Sequence, residues 1–169
     1  MNLFCLRQKT ELVDGIKIHG RSEFFLRTRE ALELLRPTPF FPDIQRYIAV
    51  IRQGRRSGMK VYAKRPTFVV GQRTWSHSAL WYAGALAHDC YHSKLYHDAR
   101  ANAAKDPPAD CWTGSDAEKK CLEFQIKTLQ ALNADAETVA YLKKLEKNPT
   151  YHGHNRGWKS WRDYWTRRW

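Results

Sequence analysis

Residues 67–96 read TFVVGQRTWSHSALWYAGALAHDCYHSKLY. Thr67–Gly71 is a short β-rich run closed by a glycine, which predicts a strand. From Ser76 the pattern changes to that of a long helix, with no proline until Pro107. That helix carries His88, Asp89 and His92 in an H-D-x-x-H spacing. Residues four apart on a helix stack on one face, so the two imidazoles can offer nitrogens to a single metal ion. Cys90 lies about 200° round the helix from His88 and reads as a buried thiol.

Two histidines hold zinc poorly, and a third protein ligand is normally needed. Downstream, a loop with Pro107, Pro108 and Gly114 leads to a helix that Ser115 or Asp116 can cap. On it Glu118, Leu122, Gln125, Leu129 and Leu132 share one face, which should pack against the histidine helix. A carboxylate in such an interface requires a partner, which makes Glu118 the candidate third ligand. Glu123, five residues on, points to a different side and is the second candidate. Residues 135–146 read as a further short helix ended by Pro149.

Upstream, SEFFLRTREALELL (Ser22–Leu35) predicts a helix with Ser22 as its cap, stopped by Pro37. Asp43 can cap a second helix running through Ile44, Ile48 and Ile51 to the region of Gly54. Met59–Ala63 and Thr67–Gly71 then read as two strands of a small sheet. The fold class is α+β: a helix-rich single domain over residues 1–169, with a small sheet preceding a long metal-binding helix. The length and the 43% hydrophobic composition suit one core of ordinary size, and no Pro/Gly/Ser-rich linker divides the chain.

The net charge of +12 is unevenly spread. Residues 1–75 carry 15 Lys/Arg against 6 Asp/Glu, 76–155 carry 9 against 10, and 156–169 carry 5 against 1. The segment with the histidines is nearly neutral, and the basic flanks favour anionic partners, nucleic acid or a lipid surface. No apolar run reaches the length of a signal peptide or a membrane span, so the chain reads as soluble and cytoplasmic. Cys5, Cys90, Cys111 and Cys121 form no C-x-x-C and so argue against a four-thiolate zinc site. Cys111 and Cys121 are close enough in sequence to close a short disulfide loop in an exported protein.

The succession of TFVVG, a turn, a long helix with H-x-x-x-H, a loop, and a helix opening with E-K-K-C resembles the core of the zincin-like metallopeptidases. The likeness is to the branch whose third ligand is a glutamate on a following helix, and it covers about residues 59–132. It implies one zinc held by His88, His92 and Glu118, with Asp89 as general base in hydrolysis of a peptide or other amide. These families carry glutamate at the position of Asp89; aspartate can accept the same proton but is one methylene shorter. The resemblance also implies an oxyanion-stabilising group beyond the third ligand, with Tyr151, His152, His154 and Arg156 in YHGHNRGW as candidates, Tyr151 and His154 foremost.

Two other readings stand beside it. A-L-A-H-D also resembles the His-Asp doublet of HD-type phosphohydrolases, which need a further histidine from another helix; here His77 and His19 are the ones upstream. The C-terminal GWKSWRDYWTRRW places Trp158, Trp161, Trp165 and Trp169 on one helical stripe among arginines and lysine. That suits a zinc-containing binding protein for nucleic acid or an anionic surface, unless the stripe is core.

Overall fold

The computed structural model describes residues 8–148. Its first element is a hairpin absent from the sequence-based expectation: β1 (Lys9–Val13) and β2 (Ile16–Gly20) pair antiparallel in the register Val13↔Ile16. Asp14 and Gly15 join them with φ of 51° and 81°. Two consecutive positive φ values suit the right-handed twist of the strands they connect, and Asp-Gly is a favoured pair for such a turn. Along β2, Ile16 and Ile18 are fully buried while Lys17 and His19 face the other way.

The sheet has five strands in the order β1-β2-β3-β5-β4. β2, β3 (Val50–Gly54) and β5 (Thr67–Gly71) run parallel, and β4 (Gly58–Lys60) forms an antiparallel edge on β5. One register row crosses the sheet through Ile18, Ile51, Phe68 and Met59. Ile18, Ile51 and Phe68 have no exposed surface, and Met59 packs against the same core. The rows on the opposite face carry Leu12, Lys17, His19, Arg52 and Lys60. Leu12 is 70% exposed, so that part of the face is open among the described residues.

Helix α1 (Ser22–Leu35) and the short α2 (Phe41–Tyr47) link β2 to β3. Ser22 is the first helical residue rather than the cap; Arg21 takes the extended N-cap conformation, and its N–H donates to Gln53 Oε1 at 2.9 Å. The second helix is shorter than expected. Asp43 lies inside its first turn, and Ile48 is extended, so Val50 and Ile51 leave as a central strand. The β-branched run Ile48, Val50, Ile51 prefers the pleated, doubly flanked environment of a parallel strand. β5 matches its expected bounds, whereas β4 ends at Lys60 and leaves Val61 buried in the following turn.

A single turn, α3 (Gln72–Trp75), precedes α4 (Ala79–Ala101), whose N-cap Ser78 accepts from the Trp81 N–H at 3.0 Å. α4 buries Tyr82, Ala83, Leu86, Ala87 and Cys90 in the main core with Phe24, Leu32, Ile51 and Phe68. Tyr82 has no exposed surface, yet its hydroxyl has a partner in Thr28 Oγ1 at 3.0 Å. α5 (Ser115–Ala131) starts after Gly114 (φ 88°), which is its N-cap in place of Ser115 or Asp116. α6 (Ala136–Glu146) is capped by Asp135, and Leu142 closes a second apolar cluster with Trp81, Leu122, Ile126 and Leu129. The protein is thus a helix-rich α+β domain, and no helix among the described residues is long and apolar enough to cross a membrane.

Candidate metal centre

The centre grows out of the way α5 docks on α4. Glycine at position 84 lets the helices approach: a Cβ there would stand 3.0 Å from Leu129 Cδ1. One turn further along α4, His88 Nδ1 bonds Gln125 Oε1 at 3.1 Å. One more turn brings a ring nitrogen of His92 within 4.8 Å of Cys121 Sγ. The contacts step up α4 by four and down α5 by four, so the two helices run in opposite directions with matched turns. The face expected from Glu118, Leu122, Gln125 and Leu129 is the one that docks, and Leu122 and Leu129 are fully buried.

The histidines are oriented by their outer nitrogens. His92 Nδ1 lies 2.8 Å from the carbonyl oxygen of Trp112, which can only accept, so Nδ1 carries the proton. His88 Nδ1 has the Gln125 amide oxygen in the same role. The two Nε2 atoms then meet 3.3 Å apart. Glu118 completes the figure, with Oε2 3.3 Å from His88 Nε2 and Oε1 3.5 Å from His92 Nε2. Two imidazole lone pairs and a carboxylate at such separations require a cation among them, a proton or a metal.

A tetrahedral ion with bonds of about 2.0–2.1 Å places its ligand atoms about 3.3–3.4 Å apart, the scale of this triangle. An outer nitrogen donating to a carbonyl is also the arrangement that metal-ligating histidines adopt. Cys121 adds a sulfur: one ligand atom each from His88, His92 and Cys121 lies within 4.8 Å of the others, close enough to bind a metal ion.

Protonation reflects the crowding. Burial lowers the pKa of His92, but hydrogen bonds from Cys121 and Glu118 outweigh it and hold it well above 6.5. Burial would raise Glu118, and the His88 and His92 bonds reverse that and keep it far below the usual carboxylate range. Asp89 is raised by burial, which the nearby His88 and His92 offset only in part. The backbone N–H of Met59, on the edge strand β4, also favours its charged form.

The structure brings together the three expected residues His88, His92 and Glu118, and surrounds them with partners that the sequence does not announce. Gln125 reads from the sequence as packing, although a buried amide two turns from the candidate ligand Glu118 on the same face is a signal for an outer hydrogen bond. Cys121, three residues after Glu118 on the same face, is expected from the sequence as a candidate disulfide partner of Cys111 and instead joins the cluster. Trp112 had no signal, since it acts through its backbone carbonyl; its ring packs against Tyr62 and Tyr96 with centroids 6.1 and 5.9 Å away. Glu123 is outside the cluster, and Cys90, Cys111 and Cys121 are free, so no Cys111–Cys121 bridge forms. His77 packs on the Trp81 ring, and His19 on β2 pairs with Thr10 Oγ1 on β1, both away from the centre. Tyr151, His152, His154, Arg156 and the tryptophan stripe of 158–169 lie outside the described residues.

Comparison with protein-family models, with curated proteins and with solved structures finds no match for this chain.

Proposed function

We propose that the protein is a zinc-dependent hydrolase of peptide or other amide bonds, with a zincin-like core in which His88, His92 and Glu118 hold one zinc. The observation that carries this reading is the triangle of His88 Nε2, His92 Nε2 and a Glu118 carboxylate oxygen pair at 3.3–3.5 Å, with both outer imidazole nitrogens already engaged. Zinc, when bound, acts as a Lewis acid on a carbonyl and lowers the pKa of a bound water. The chain supplies the rest. Trp112 and Gln125 fix the imidazole tautomers, Glu118 balances charge, and Asp89, next to His88 on α4, accepts the proton that the attacking water loses. The peptide-bond specificity follows from the resemblance of the strand, the histidine helix and the glutamate helix to metallopeptidase cores.

Elemental analysis of protein purified without chelator tests it. About one equivalent of zinc is expected, lost in His88→Ala and Glu118→Ala and retained in Asp89→Ala. Full zinc in the first two variants overturns the ligand set.

A second reading, a zinc-containing protein that binds nucleic acid without catalysis, is favoured by one feature. Residues 44–88 contain eight Lys/Arg and no Asp/Glu. They include the strands β3, β5 and β4, where Arg52 and Lys60 lie exposed on the open face of the sheet. Metal binding with no hydrolysis of any amide would move the assignment here.

A further inference from the structure

We infer that Cys121 is a fourth metal ligand that closes the centre in the resting protein, so that the thiol gates access to the ion. The inference rests on the metal-centre reading above and adds the regulation of that site. Its basis is the pairing of two helices, each presenting two donors on one face. α4 offers His88 and His92, four apart, and α5 offers Glu118 and Cys121, three apart; both spacings align side chains on a single stripe. Together they offer two nitrogens, one oxygen and one sulfur, the full donor count of a tetrahedral zinc: the Glu118 oxygens lie 3.3 and 3.5 Å from the two imidazole Nε2 atoms, and the sulfur lies within 4.8 Å of a nitrogen of each histidine.

The sulfur is in reach. Zinc bonds of about 2.0–2.1 Å to nitrogen and 2.3 Å to sulfur put N and S about 3.6 Å apart, and the 4.8 Å bound on the present spacing leaves a shift of about 1.2 Å at most. Cys121 is fully buried, and its sulfur lies within 4.8 Å of a ring nitrogen of His92. Four protein ligands leave no place for water, whereas hydrolysis needs an open position. A centre with Cys121 bound is therefore shut, and release of the sulfur opens the one position a water requires.

Cobalt(II) reads this directly, because a soft thiolate on cobalt gives a charge-transfer absorption that nitrogen and oxygen ligands do not. The metal-free protein is loaded with cobalt(II), alongside Cys121→Ser and a variant in which Cys5, Cys90 and Cys111 are all serine. The expected result is one equivalent of cobalt with the thiolate band in the wild type and the triple variant, and loss of the band in Cys121→Ser. The triple variant keeps the test intact if Cys121→Ser does not fold. With zinc bound and casein as substrate, Cys121→Ala should cleave at least about tenfold faster than the wild type, a scale set by other changes at metal centres. Cobalt bound without the band, the band surviving in Cys121→Ser, or cleavage no faster in Cys121→Ala each overturns the gate while leaving the His88, His92 and Glu118 centre standing. No cobalt bound by the wild type overturns the centre and the gate together.

Discussion

His92 donates its Nδ1 proton to the carbonyl oxygen of Trp112 across 2.8 Å, and this bond turns the other nitrogen of the ring toward His88 and Glu118. The loop between α4 and α5 thus sets the direction of a side chain it does not itself carry. His88 depends in the same way on Gln125.

Gln125→Leu should leave the fold in place, since leucine fills a similar volume in the α4–α5 interface, and should cost zinc affinity. Loss of an outer hydrogen bond to a ligating histidine weakens binding by roughly 10–100-fold. Competition with a chromophoric chelator measures it, and an unchanged affinity would remove Gln125 from the centre.

Asp89 has two separable roles. In Asp89→Asn the amide oxygen can still accept from Met59 N–H, so stability should be retained while amide hydrolysis is lost with zinc bound. In Asp89→Ala both go, and stability should fall in denaturant unfolding because the Met59 N–H loses its acceptor. Equal stability losses in the two variants would show that the Met59 bond does not anchor β4.

The metal-free protein should have a stability maximum in mildly acidic solution. Glu118 is depressed below 4.5, so its contribution is present above that value and lost as the pH falls through its folded pKa. His92 is raised above 6.5, so its contribution is complete below that value and is lost as the pH rises through its folded pKa. The window lies between the two ordinary values. Zinc replaces the proton at His92, and thermal melts with zinc should lose the decline on the alkaline side.

Gly84→Val should destabilise the protein by about 1–3 kcal/mol, because the new side chain meets Leu129, which is fully buried and has nowhere to yield. The gain of about 1 kcal/mol from removing a mid-helix glycine is too small to offset this. Zinc affinity should fall in parallel, since the same approach of α5 brings Glu118 to His88. Fluorescence-detected unfolding and metal titration on one preparation check both.

Arg52→Glu with Lys60→Glu should weaken binding to single-stranded DNA, and wild-type binding should itself fall about fiftyfold between about 50 and 200 mM salt if four phosphates are contacted. Burial, then Lys17, Arg52 and Arg65 in turn, hold His19 below its usual pKa, a sign of positive potential over this face. Binding insensitive to salt would exclude the sheet face as a polyanion site.

The parts of the fold with strong periodicity were legible. The α1 span emerged complete from the spacing of Phe25, Ala31, Leu32 and Leu35, and β5 from its β-branched residues. The hairpin was overlooked although Asp14-Gly15 between alternating residues is a strong local signal. β3 was hidden because Ile44, Ile48 and Ile51 fit a helical repeat as well as they fit a helix followed by a strand, and only the parallel neighbours β2 and β5 decide between them. The three proposed ligands could be read from helical spacing, whereas Trp112 could not: a backbone carbonyl leaves no trace in residue type.

The matched turns of α4 and α5 make a metal there more than a reagent. His92 and Glu118 are 26 positions apart in sequence, and an ion joining them would staple the chain across the whole 102–114 connection. A cross-link closing a loop of that length removes about 3.5 kcal/mol of freedom from the unfolded chain on an entropic account. A protease cut within the connection would then leave two fragments pinned at one point, and stripping the ion would let them part.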